Sequence, residues 1–282
     1  MLCFSGQCLA ALWLILAVAC ISPTASADGL FDVSFGGARN DSVAFLVNEG
    51  QHVVTVGLAG RDLRAAKLSG MAAAPRGSLV DSTSRLVVFE MPKRQSGAFR
   101  LAAQAPAGGL LRTPDGGVGG RIVARVERVS GKFLPFTLLK LQFDGSPPKP
   151  GTPLLDASGA VAAVAHDSIG NDGGFALPVE VVHRALDAAR QGKEAHRAWL
   201  GLILNPGKDL PQVTRTVEGS PAKQAGLLPG DVLLEVGGLK VADYGDAVNA
   251  FFLLRPGKPT RVRVKRGGGE KVLELVPAIA GR

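Results

Sequence analysis

The sequence predicts a mainly β protein, with two barrel-like halves built from short strands and then a smaller unit that mixes strands with helices. Three observations lead there. Short β-branched and apolar runs recur from Phe31 to about Leu177, punctuated by Gly, Pro, Asn and Asp. Glycine is abundant, at 37 of 282 residues, while aromatics make up only 5%, which suits tight turns between short strands. Beyond Leu177 the apolar spacing changes from that of strands to that of a helix.

The predicted strands include Ser42–Val47, His52–Val56, Arg85–Phe89, Arg121–Val126 and Ala160–Val164. Pro106 to Gly120, rich in Gly and Pro, is read as the passage between the two halves. From Pro178 to Gln191, Val181, Val182, Ala185, Leu186 and Ala189 fall on one helical face, and Gly192 supplies the stop. Residues 191–197 form a polar linker. In the last segment, Ser220-Pro221 reads as an N-cap followed by proline in the first turn, with Gly226 ending that short helix. Asp243 caps a second helix that runs to about Leu254, before Pro256-Gly257. Arg261–Lys265 and Glu270–Val276 form a hairpin around Gly267–Gly269.

Composition removes several function classes. The formal charge is +8, yet Lys and Arg are scattered singly. The densest stretch, Arg261 to Arg266, alternates with Val262 and Val264, as on the solvated face of a strand, and no nucleic-acid recognition motif accompanies it. Residues 1–27 read as an export signal. Ala10 to Ala19 are apolar but too short a run to span a bilayer, and Ala25-Ser26-Ala27 offers a cleavage site before Asp28. Lipidation at Cys20, after Leu16-Ala17-Val18-Ala19, competes with that reading, and an uncleaved anchor is a third. The reading taken is a free periplasmic or secreted product. All three cysteines (Cys3, Cys8, Cys20) precede the predicted cleavage, so the mature chain would hold no disulfide, thiol nucleophile or thiolate metal site. No His/Asp/Glu spacing suggests a metal, and Gly267–Gly269 is a turn rather than a phosphate loop, so no cofactor is expected.

Two stretches carry a family resemblance. Gly173-Gly-Phe-Ala-Leu-Pro-Val179, then a helix, then Trp199-Leu-Gly-Leu202 resembles the junction in HtrA-type (Deg) serine proteases. Val217-Glu-Gly-Ser-Pro-Ala-Lys-Gln-Ala-Gly-Leu-Leu-Pro-Gly-Asp-Val-Leu-Leu-Glu-Val-Gly-Gly238 resembles the PDZ core of the same family. The resemblance implies a trypsin-like double β-barrel over residues 28–190 and an α+β PDZ domain over 198–280. A PDZ module adds an extended peptide to a sheet edge beside a helix and captures its carboxylate with backbone N–H groups. By resemblance the capture loop is Trp199, Leu200, Gly201 and Leu202, and Val248, Phe251 and Phe252 face it from the helix. The same residues are equally suited to filling a small core.

Serine proteolysis needs a nucleophile, a histidine base, a carboxylate that orients it and oxyanion donors. In the family's pattern the histidine position falls on Leu58, after Gly50-Gln-His-Val-Val-Thr-Val-Gly57. A shifted motif at His52 is the alternative register. The acid position falls on Arg85, with Asp81 in an earlier place of that motif, and the nucleophile position falls on Pro150 within Pro148-Lys-Pro-Gly-Thr-Pro-Leu-Leu155. Proline has neither a hydroxyl nor an N–H. Ser146 and Ser158 read as loop and turn residues, and His166 and His183 lack an evident partner.

The expectation is therefore a non-enzyme, an inactive serine-protease homologue whose PDZ domain binds polypeptide C-termini or extended segments of unfolded envelope proteins. Two alternatives stand beside it: an active HtrA-like endopeptidase, and a chaperone-like holdase or regulator of an active protease. Assembly into an oligomer is compatible with all three.

Overall fold

The computed structural model describes residues 29–36, 41–69, 71, 74–129, 132–192, 196–205 and 210–280. The export signal, its cleavage after Ala27 and the lipidation alternative at Cys20 lie outside the described residues, as do residues 193–195 of the expected linker.

The first half is a six-stranded antiparallel sheet. Its strands are β1 (Leu30–Phe35), β2 (Ser42–Val47), β3 (His52–Val56), β4 (Ala66–Ser69), β5 (Gly77–Asp81) and β6 (Leu86–Glu90), in the order β4-β1-β2-β3-β6-β5. The second half is a closed barrel of β7 (Gly109–Arg112), β8 (Gly119–Val129), β9 (Lys132–Phe143), β10 (Pro153–Leu155), β11 (Val161–Ile169) and β12 (Gly173–Pro178). Closure leaves that barrel without a free sheet edge. The helix α1 (Val179–Arg190) follows directly from β12.

One boundary differs from the sequence reading. The passage between the halves runs from the end of β6 to the start of β7, so Pro106 to Gly120 already contains a strand. Leu110 and Leu111 pair with Arg121 and Gly120 of β8. Two apolar residues between glycines carry too short an alternation to announce a strand.

The C-terminal unit comprises β13 (Ala198–Trp199), β14 (Leu202–Leu204), β15 (Val213–Thr216), α2 (Pro221–Gln224), β16 (Val232–Val236), β17 (Leu239–Lys240), α3 (Tyr244–Leu253), β18 (Thr260–Arg266), β19 (Gly269–Leu275) and β20 (Ala278–Ile279). Both helix starts use the caps read from the sequence. Ser220 Oγ accepts from the Lys223 N–H at 3.2 Å, and Asp243 Oδ1 accepts from the Asp246 N–H at 2.8 Å. This unit has its own core, with Leu200, Val213, Leu227, Leu233, Val236, Val262 and Val264 all buried.

α1 and α3 join the parts. Val181, Val182, Ala185 and Leu186 of α1 pack with Phe45, Val54 and Val88 of the first sheet and Leu138, Val164 and Leu177 of the barrel. Phe252 of α3 enters the same cluster, with its ring centroid 4.6 Å from that of Phe136. Among the described residues, no helix is long and apolar enough to cross a membrane.

Candidate functional site

The loop between β13 and β14 is built to present backbone N–H groups. Gly201 has φ +72°, and a Cβ there would lie 2.2 Å from Ser220 Cβ, so only glycine fits. The Leu200 carbonyl accepts from the Ala222 N–H at 2.9 Å. The Gly201 carbonyl accepts from the Val217 N–H at 2.7 Å and from Ser220 Oγ at 3.2 Å. Across a trans peptide the carbonyl and the following N–H point in opposite directions. With both carbonyls turned inward toward α2, the N–H groups of Gly201 and Leu202 turn away from it. Successive N–H groups directed this way form a concavity suited to a carboxylate.

The surrounding side chains divide into three sets. Leu200 is buried in the C-terminal core, with Leu202 and Phe251 packed against it. Trp199 is 39% exposed and pairs through its backbone with Ala278. Val248 borders a hollow of about 190 Å³ with Ala198, Phe251, Leu134 and Pro135, so β9 approaches this side of α3. Phe252, expected in the pocket, also borders this hollow, but it is only 5% exposed, lies against Phe136 and has the Arg184 guanidinium 4.3 Å from its ring. Adjacent helix positions point about 100° apart, so Phe251 and Phe252 serve different cores.

The three positions drawn from the protease pattern lie at the junction of the two halves. The Arg85 carbonyl accepts from the Gly57 N–H at 2.7 Å, which places Leu58 beside it. Leu58 packs onto the core of the first sheet. The Pro150 carbonyl accepts from the Val43 N–H and from Ser42 Oγ, each at 2.8 Å. Gly151, at φ +84°, leaves no room for a side chain, because a Cβ would lie 1.9 Å from the Val43 carbonyl oxygen. The loop around Pro150 is thus fastened to β2.

Sequence reasoning missed a His–Asp pair. The ladder between β11 and β12 slips between Ala165 and Asp167, so His166 is the extra residue of a bulge. His166 Nδ1 lies 2.9 Å from Asp167 Oδ2. Arg85 Nη2 donates to Asp167 Oδ2 and to His166 Nε2, both at 2.7 Å. With the proton on Nδ1 the ring donates to Asp167 and Nε2 accepts from Arg85, and Arg85 Nη2, 3.0 Å from Nδ1, then makes no bond there. Burial tends to raise the Asp167 carboxyl, but the hydrogen bond and charge of His166, then of Arg85, outweigh it and hold the group below its ordinary value. The available signal was a histidine followed directly by an aspartate in a strand.

His52 and Asp81 take other roles. His52 lies four residues before Val56 on β3, about 13 Å along the strand. Its Nδ1 is 2.9 Å from Asn48 Nδ2. Burial, then the charge of Arg190, lowers its pKa, while Glu90 opposes that. It therefore does not join the His166–Asp167 pair. Asp81 is buried and accepts from Arg184 Nη1 at 2.8 Å and from Ser84 Oγ at 2.9 Å. Among the described residues no group of three or more His, Cys, Asp or Glu side chains could hold a metal ion.

The PDZ-domain family matches residues 212–266. A solved structure titled HtrA-type protease AlgW with decapeptide superposes with a TM-score of 0.58 at 17% identity, covering 91% of this chain and 97% of its own. The fold is that of an HtrA-type protease with a PDZ domain. Among curated relatives, a probable periplasmic serine endoprotease DegP-like of Ectopseudomonas mendocina is 26% identical over 163 residues, covering 52% of this chain and 34% of the relative. The putative serine protease HhoB of Synechocystis is 31% identical over 156 residues, covering 47% of this chain and 37% of the relative. The chain spans about a third of the length of the curated relatives it matches.

These comparisons correct one expectation. Leu58, Arg85 and Pro150 at the triad positions suggested a non-enzyme, whereas the curated relatives are named a probable periplasmic serine endoprotease and a putative serine protease. The inference of inactivity rested on transferring three positions one by one. His166 was set aside for want of an evident partner, which Asp167 supplies in the structure.

Proposed function

We propose that the chain is a PDZ-directed endopeptidase of the HtrA type that works on exported polypeptides. In this reading, after removal of residues 1–27, the PDZ domain over residues 198–280 captures a free C-terminus or an extended segment. The carboxylate meets the N–H groups of Gly201 and Leu202, and Trp199, Val248 and Phe251 contact the final side chains. The observation that carries the binding part is the inward turn of the Leu200 and Gly201 carbonyls. Support for hydrolysis comes from the relatives' names and from the His166–Asp167 pair at the junction of the two halves.

Residue 150 is a proline, so the nucleophile in this reading is a water molecule. His166 Nε2 takes a proton from that water as its oxygen attacks the scissile carbonyl and gives it to the leaving amine as the C–N bond breaks, while Asp167 holds the imidazole in the tautomer that makes this possible. Arg85 donates to Nε2 at rest and must swing away before proton transfer.

The test is turnover of casein and of a labelled envelope protein by the purified chain, with His166→Ala and Asp167→Asn alongside. Loss of turnover in both variants, with no labelling by a fluorophosphonate, is the expected result. Labelling by the fluorophosphonate would replace water with a serine nucleophile. A folded chain that binds peptide yet turns over neither substrate would leave binding alone as the function.

A further inference from the structure

β5 is an end strand of the first sheet. It pairs with β6 on one side and, among the described residues, with no strand on the other. Alternate N–H and C=O groups of such a strand point away from its sheet. End strands are commonly guarded by charge, as β4 is here by Lys67 and β19 by Glu270, Lys271 and Glu274. β5 reads Gly77-Ser-Leu-Val-Asp81, and its one charge, Asp81, is buried and accepts from Arg184 Nη1 at 2.8 Å. Gly77 and Ser78 are exposed, and a Cβ on Gly77 would meet no atom within 4 Å.

Two hollows follow this strand. One, of about 490 Å³, is lined by Gly77 to Val80, and the other, of about 920 Å³, by Val80 to Thr83. Arg64 and Val80 line both, so the hollows adjoin. Together they accompany residues 77–83, about 20 Å of extended chain. Arg61 to Arg64 border them from the turn before β4, and Ala189, Gly192, His196 and Arg197 from the end of α1 and the approach to β13.

The border is basic. Arg64 and Arg197 are exposed, and among the described residues neither pairs with a carboxylate. Arg61 meets Asp41 only at 3.9 Å. The carboxylates nearby are Asp62, which accepts from the Arg64 N–H at 2.9 Å, the Asp81 already paired with Arg184, and Glu90, opposite His52 at the far end. A second copy docked edge to edge would bring two such sets of arginines together, and like charges repel. An acidic chain would complement them.

We propose that the β5 edge is a docking site for an extended acidic polypeptide segment, added to the first sheet as a further strand with its carboxylates beside Arg64 and Arg197. Backbone hydrogen bonds to the strand supply affinity, and the side chains set the preference. Half-buried Leu79 is the cross-strand neighbour for a β-branched residue of the incoming segment. The site is separate from the capture loop and needs no free C-terminus, so it does not depend on the reading of that loop as a carboxylate receptor.

The experiment is fluorescence anisotropy of a fluorescein-labelled, C-terminally amidated peptide, Thr-Glu-Val-Glu-Val-Glu-Thr, titrated with the full chain. One control carries lysine for glutamate, and another is N-methylated at alternate residues and cannot pair as a strand. Saturable binding of the acidic peptide is expected, at least tenfold weaker for the lysine form and lost on N-methylation. The double variant Arg64→Glu with Arg197→Glu, both at exposed positions, should keep the parent's circular dichroism spectrum and bind at least fivefold more weakly. An excess of an apolar free-acid peptide, which the capture loop would take, should not displace the probe. Equal binding of either control, displacement by the free-acid peptide, an unchanged affinity in the double variant or no binding to the folded parent would overturn the proposal. Failure to bind in a chain that sediments as a dimer would give the edge to a second copy and overturn it too.

Discussion

The Arg184 guanidinium lies 4.3 Å from the centre of the Phe252 ring while its Nη1 donates to Asp81 at 2.8 Å. One side chain of α1 thus ties the first sheet to the C-terminal unit, and its Nη2 also donates to the His196 carbonyl at 3.0 Å. Burial lowers the Arg184 pKa, and Asp81 opposes this. Removing the cation strands a buried carboxylate, which costs about 3–5 kcal/mol. Arg184→Ala should therefore lower the urea midpoint by more than Arg184→Lys. An unchanged midpoint would show that the two units are held together elsewhere.

Gly201→Ala should cut peptide affinity more than it cuts stability. A Cβ would collide with Ser220 Cβ at 2.2 Å in a backbone conformation that side chains disfavour. Strain of this kind costs roughly 1–3 kcal/mol. Relieving it rotates the peptide units that aim the two N–H groups. Titration with a free-acid peptide should show at least a tenfold weakening, while the far-ultraviolet circular dichroism spectrum stays that of the parent.

Gly151→Ala tests the fastening of the Pro150 loop in the same manner. The new Cβ would sit 1.9 Å from the Val43 carbonyl oxygen and 2.9 Å from Thr55 Oγ1. The loop around Pro150 should lift from β2, and limited proteolysis should nick it near Lys149. A cleavage pattern like the parent's would mean that the loop does not depend on that close approach.

Asp231 gives the C-terminal unit a pH signature. Its carboxylate is buried and accepts from Arg266 Nε at 2.6 Å and Nη2 at 2.7 Å, and from the Leu228 N–H at 3.0 Å. Burial raises its pKa, but these bonds outweigh that and depress it below the ordinary value. Its stabilisation is then full above the unfolded value of about 3.9 and is lost as pH falls through the lower folded value. Thermal unfolding should show Asp231→Asn less stable than the parent at pH 7, with the gap narrowing as pH falls from about 5 to about 2.

Much of this was legible in the sequence because local chemistry decided it. Ser220 and Asp243 cap the helices they were expected to cap, and α1 buries Val181, Val182, Ala185 and Leu186 of the predicted stripe, with Ala189 partly buried. Strand positions followed from runs of Val, Leu and Phe. Long-range relations were not legible. Phe251 and Phe252 are neighbours in sequence with the same chemistry, and only packing sends the second toward Phe136. His166 lacked a partner on paper because a bulge, invisible to periodicity, brings Asp167 round to it. Arg184 lies outside the apolar stripe of α1, so its buried partner Asp81 was not announced by the periodicity and depends on the fold.

The central claim is capture of a terminal carboxylate at the β13–β14 loop. Trp199 stands there, and the chain has only one other tryptophan, Trp13. The most direct measurement is the fluorescence of a Trp13→Phe chain titrated with short apolar-ended peptides, each as the free acid and as the C-terminal amide. The account predicts a saturable change with the free acids alone, lost in Gly201→Ala. Equal responses to acid and amide, or none to either in a folded chain, would contradict it.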